Sequence, residues 1–285
     1  MLYVLSEASS GDSFNQLAGI YLLNSLACQV DTELKMLVGS MGAVEQMLDI
    51  ISEKLSEGSC DYVMENVWST MWNVTDEAPG NCCRFLAGGG IDLFLQCKER
   101  FPDETPLLGN MIGLLGNIAE VPELRPKLMT GQFVEEVASL LDCVKDSCEL
   151  SYTAAGVLAH LLSDGVQAWT IHQPEREEVL ENMSRAISSW DMTSKRKVNY
   201  RTFEPVLRLL RVKHTPQCRM WAVWALANLT SVTQDYCGLV LQEGGLHLLE
   251  EVLPDDTDLL GTSFSQVTEW ADVVRSNVLN WQQSN

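Results

Sequence analysis

Positive charge is scarce in this 285-residue chain, where 19 Lys and Arg stand against 39 Asp and Glu for a formal charge of −20. Such a surface repels phosphate backbones and anionic lipid, which argues against nucleic acid or a membrane surface and favours cationic ligands. Metal-binding patterns are thin as well. Nine Cys contain no CxxC pair, and the four His (His160, His172, His214, His247) lie apart from the only adjacent pair, Cys82-Cys83. No zinc site and no other cofactor is expected. An odd number of scattered thiols suits a reducing compartment, so a cytoplasmic or nuclear location is expected. No apolar run has the length of a spanning helix. Residues 1–5 are apolar but lack the basic lead and small-residue cleavage site of a signal peptide. GxxxxGK[ST] and GxSxG are absent, and Gly88-Gly89-Gly90 follows no strand, so nothing supports a nucleotide site or an enzyme.

What is present is a period. Segments with Asn at a fixed place recur around Asn24, Asn73, Asn117 and Asn228, and Val157 holds the same register with the Asn replaced. A Gly-containing loop and an apolar stretch follow most of them, at Gly42, Gly90, Gly131 and Gly245. The steps 24 to 73, 73 to 117 and 117 to 157 bracket the 40–47 residues of armadillo and HEAT units. Apolar spacing of three and four, as in Val134, Val137, Leu140 and Leu141, indicates helices rather than strands. The expected fold is therefore all-α, an armadillo/HEAT-like solenoid with a concave peptide-binding groove. Residues 1–12 read as a leader, native or non-native, ahead of repeats over 13–261. The long step from Val157 to Asn228 marks an insertion at about 163–204, with its own helix and the basic run Lys195-Arg196-Lys197. Residues 262–285 read as a C-terminal capping helix.

The recurrent Asn has two readings. It can bond a neighbouring backbone as scaffold, or it can line the concave surface and bind the main chain of an extended peptide, since an amide offers donor and acceptor together. Asp76 and Glu120 each follow an Asn by three positions, so Asn73, Asp76, Asn117 and Glu120 should share one patch. No Lys or Arg falls within either segment, and the patch suits a compact cation; the alternative is solvation of helix ends. Trp72 can wall that site and offer a cation–π face, or pack between repeats. His160 suits a groove or a core equally. Trp224 and Asn228, four apart, resemble one rung of the ladder with which import receptors hold Lys-rich segments.

The same residues carry a resemblance. The segments at 72–77 (WNVTDE), 116–129 (GNIAEVPELRPKLM), 154–161 (AAGVLAHL), 200–210 (YRTFEPVLRLL) and 221–226 (WAVWAL) resemble the Zyg-eleven family, and within it the zer-one branch. The resemblance implies the C-terminal armadillo-like domain of a substrate receptor for cullin-two RING ubiquitin ligases, a non-catalytic role in ubiquitin conjugation and protein quality control. It implies binding of N-terminal glycine degrons, and of some other small first residues, through Trp72, Asn73, Asp76, Asn117 and Glu120. The family's elongin-binding box and leucine-rich repeats are not visible here, so elongin B/C and cullin-two would be reached through a region outside this sequence. Two other readings remain at this stage: an armadillo adaptor for basic segments through Trp224 and Asn228, with His160 a further candidate groove residue, and a passive scaffold.

Overall fold

A computed structural model describes residues 13–29, 31–143, 148–195, 199–252 and 262–284. The leader expected at 1–12 lies outside them, as do Arg196 and Lys197 of the basic run. The described residues form sixteen α-helices and three short 3-10 turns, with no strand among them. The fold is an all-α, armadillo-like solenoid, as the period predicted. The chain divides into two compact units, Met1–Glu136 and Val137–Asn285.

Unit 1 opens with α1 (Ser13–Gln29) and continues in triplets of helices, the third of which stacks on its counterpart in the neighbouring repeat. The first triplet is α2 (Thr32–Ser40), α3 (Ala43–Glu57) and α4 (Tyr62–Thr75), and the second is α5 (Pro79–Ala87), α6 (Gly90–Arg100) and α7 (Thr105–Ala119). A short helix α8 (Arg125–Leu128) and α9 (Gly131–Ser139) follow, α9 running across the division. Each class of helix packs on its own kind one repeat later: α1 on α4 and α4 on α7, α2 on α5, and α3 on α6.

Local chemistry explains the boundaries. Asp31 caps α2 by accepting from Leu34 N at 2.9 Å, and Asp61 caps α4 by accepting from Val63 N and Met64 N at 3.0 Å each. Pro sits in the first turn of both α5 and α7, where its missing N–H costs nothing. Between α5 and α6 the paired glycines do different work. Gly89 takes φ 78, the left-handed region, while a Cβ on Gly90 would sit 2.4 Å from the Phe85 ring. One helps turn the chain and the other lets the helices close. Phe85 in turn meets Trp68 edge-on at 6.0 Å, both fully buried.

Helix α1 is unusual. It contains no charged residue, and Ile20, Leu23 and Ala27 are buried. Its other side leaves Phe14, Tyr21, Leu22 and Leu26 exposed.

Unit 2 contains α10 (Glu149–Leu162), α11 (Arg176–Ser189), α12 (Glu204–Leu210), α13 (Pro216–Val232), α14 (Asp235–Gln242), α15 (Gly245–Val252) and α16 (Thr262–Ser284). Helix α13 is its axis: every residue from Cys218 to Thr230 is buried, and α10, α11, α12, α14 and α16 all pack on it. The segment read as an insertion does carry a helix, α11. Its Val179, Met183 and Ile187 are buried, so the segment belongs to the packing of this unit. Helix α16 presents Val267, Ala271, Val274 and Val278, an i, i+4, i+7, i+11 stripe, to the core.

Candidate functional site

The WNVTD segment is the last turn of α4, and the GNIAE segment is the last turn of α7. Asp76 and Glu120 are the residues at which these two helices end. Glu77, directly after Asp76, takes φ 54, so the chain bends away through a conformation that non-glycine residues rarely adopt. A helix C-terminus already carries partial negative charge from its unpaired carbonyls. Two adjacent stacked helices therefore end in carboxylates at their negative poles, an arrangement that favours a cation. Both carboxylates act on one buried thiol. Cys82 is pushed up to about 12, first by burial, then by the Cys83 thiol and the carboxylates of Glu120 and Asp76.

The two amides of the patch are held in fixed orientations. Asn117 Nδ2 donates to Trp72 O at 2.8 Å and to Thr75 Oγ1 at 3.0 Å. Asn73 Nδ2 donates to Asn24 Oδ1 at 2.8 Å and to Ser69 O at 3.1 Å, and Asn24 returns a bond to Ser69 Oγ at 3.3 Å. The scaffold reading of the recurrent Asn is thus satisfied by the nitrogens. Asn73 and Asn117 are half-buried, and no described residue donates to Oδ1 of either. With the donors committed inward, the groups left for a ligand are acceptors.

Trp72 is half-buried and lies against α7. A Cβ on Gly113 would stand 2.4 Å from the indole Cε2, so only glycine at that position lets the ring lie flat there. Both roles considered for Trp72, packing between repeats and walling a site, are compatible with that pose.

One residue of the site was invisible in the sequence. Lys35, on α2, is 1 % exposed, and its Nζ donates to Asp76 Oδ2 at 2.6 Å and to Asp76 O at 3.1 Å. The segments around Asp76 and Glu120 do lack Lys and Arg, but a cation reaches Asp76 from another helix. The available signal was slight: Lys35 is the first basic residue of the chain, isolated in the apolar stretch Leu34-Lys35-Met36-Leu37.

The three residues assigned to a possible groove in unit 2 lie in its core. His160 is 2 % exposed, Trp224 0 % and Asn228 1 %. Trp224 meets Trp190 edge-on at 4.8 Å, and Asn228 Nδ2 donates to Met192 O at 2.7 Å and Ser194 O at 3.0 Å. Their side chains are spent on packing and on holding the chain's own 192–194 turn, which corrects the groove role expected for them. Among the described residues there is no cluster of three or more His, Cys, Asp or Glu able to hold a metal ion, and no helix long and apolar enough to cross a membrane.

Comparison with known proteins identifies the family and the fold. A family model described as the C-terminal domain of protein zer-1 homolog-like proteins matches residues 1–279. The chain belongs to the zer-1 family. It is 46 % identical over 286 residues to the human protein zer-1 homolog and 49 % identical over 275 residues to the Drosophila melanogaster one. These alignments cover 100 % and 86 % of this chain but only 37 % and 35 % of the relatives, so the zer-1-like region here spans little more than a third of their length. The Caenorhabditis elegans Zyg eleven-related protein 1 is 43 % identical over 281 residues. Among solved structures, computationally designed armadillo repeat proteins for modular peptide recognition align with a TM-score of 0.55 at 15 % identity, covering 96 % of this chain and 98 % of theirs. A designed armadillo repeat protein in complex with the peptide (KR)4 aligns at 0.52, also at 15 % identity and with the same coverage. At that identity the likeness concerns the fold of this zer-1 family member and nothing finer.

Proposed function

We propose that unit 1 binds peptides by a free α-amino group and a small first residue, glycine before serine or alanine. In the full-length protein it would serve as the substrate-recognition domain of a cullin-RING ubiquitin ligase receptor, with elongin B/C and cullin-two engaged elsewhere in the longer family chain. The observation that carries the reading is that the carboxylates and amides of the patch present acceptors and no uncommitted side-chain donor. Two carboxylates at the negative ends of α4 and α7 stand with two amides whose donors are already used. An α-ammonium is a compact cation with three donors and no acceptor, and its charge-assisted bonds contribute about 1.5–3 kcal/mol each. A peptide start is where such a cation adjoins an extended main chain. The Trp72 indole, lying on Gly113, would limit the space beside the first Cα and reject larger side chains.

Titration calorimetry with a Gly-initiated peptide, its N-acetylated twin and a Leu-initiated twin tests the reading. Acetylation removes the charge, so both carboxylates are still desolvated by the peptide but no longer gain the ligand's ammonium. The expected penalty is about 3–5 kcal/mol, enough to abolish micromolar binding. Equal affinity for the free and acetylated peptides would end it and leave the scaffold role.

A further inference from the structure

We propose that Lys35 is a positioning residue for this amine site, fixing the Asp76 carboxylate without touching the peptide. The inference rests on the amine-binding reading of unit 1 and adds to it a residue from outside both motif segments.

A fully buried ammonium is costly unless its donors are well matched. Both hydrogen bonds of Lys35 Nζ go to the same residue, one to the side chain and one to the backbone carbonyl of Asp76. A cation needed only to neutralise the end of α4 could have bonded carbonyls alone. The bond to Oδ2 instead sets the direction of the carboxylate, whose side chain is 37 % exposed, so that its second oxygen is aimed by the first. Lys35 itself, at 1 % exposure, has no surface to offer a ligand.

The delivery of Lys35 is also built in. Buried Asn81, on α5, donates from Nδ2 to Lys35 O at 2.8 Å and to Val74 O at 2.9 Å. One amide thus ties the backbone of Lys35 to the turn of α4 that ends in Asp76. Gly39 makes room for it, because a Cβ there would fall 1.8 Å from Asn81 Oδ1. The chain from Gly39 through Asn81 and Lys35 to Asp76 links the α2–α5 contact to the patch at the end of α4.

A double-mutant cycle on Gly-peptide affinity tests the role. Lys35→Met should weaken binding at least tenfold in the wild-type background and less than twofold when Asp76→Asn is already present. Lys35→Arg should restore affinity to within threefold of wild type. An equal loss in both backgrounds would assign Lys35 to general structure and overturn the proposal, as would undiminished binding by folded Lys35→Met. If Lys35→Met proves unfolded by circular dichroism, Lys35→Gln, which keeps donors without charge, takes its place in the same cycle under the same criteria. Failure of the wild-type protein to bind the free Gly peptide would remove the amine reading and this role with it, a result separate from any outcome of the cycle.

Discussion

At the scale of single residues, the candidate site depends on two carboxylates of unequal surroundings. Asp76 is braced by Lys35, while Glu120 ends α7 and its charge acts on the Cys82 thiol. Replacing either acid with Ala should weaken Gly-peptide binding by about 2–4 kcal/mol, measured by calorimetry, because the bound ammonium loses a desolvated partner. Gly113→Ala should act on the same ligand from the other side. Its methyl would stand 2.4 Å from the Trp72 indole, so the ring must move, and affinity should drop while discrimination against larger first residues relaxes. The thiols give an independent check. Burial, with neighbouring negative charge, holds Cys82 at about 12, and Cys97 is also pushed up to about 12, chiefly by burial. Iodoacetamide at neutral pH should therefore modify exposed Cys28 and Cys83 well before either of them, as peptide mass mapping would show. The five motif residues were legible in the sequence because they lie in two short segments. Lys35 was not, because it arrives from a helix some forty residues earlier, and single-sequence spacing carries no record of that contact.

At the scale of helices, the repeat register was readable wherever glycine and asparagine recur, and it failed where packing overrides spacing. Trp224 and Asn228 have the four-residue offset of a groove pair, yet α13 is enclosed on all sides and the pair lies inside it. Spacing fixes which residues share a helix face; it does not say whether another segment covers that face. Here residues 190–194 do, with Trp190 against Trp224 and the 192–194 carbonyls on Asn228. Removing the basic run that follows should leave Gly-peptide affinity nearly unchanged, since the proposed amine site lies in unit 1. A large loss in calorimetry would mean that the segment contributes to the site. The helix caps offer a pH test. Burial raises the Asp61 pKa, but its bonds from Met64 N, Lys54 and Val63 N outweigh that and leave it lowered overall. A depressed carboxylate stabilises the fold above its unfolded pKa and loses that contribution as pH falls through the folded value. Asp61→Ala should cost about 1 kcal/mol near neutrality, read by thermal denaturation, and progressively less as the pH is taken below the usual carboxylate range.

At the scale of the molecule, two properties of the chain pull against each other in solution. The formal charge of −20 keeps copies apart, and its reach is the Debye length, about 10 Å at 0.1 M salt and about 3 Å at 1 M. Helix α1, by contrast, offers water an uncharged face with Phe14 80 % and Tyr21 62 % exposed. Colloidal behaviour should therefore invert the usual expectation for an acidic protein: adding salt, by screening the repulsion, should promote self-association through α1. Light scattering of this polypeptide should rise between 0.05 and about 1 M sodium chloride, and the pair Phe14→Ser with Leu22→Gln should flatten that rise. A buffer chosen to quiet non-specific electrostatics in the peptide titrations would then bring on adhesion of another kind, so low ionic strength is the condition in which this protein should be handled.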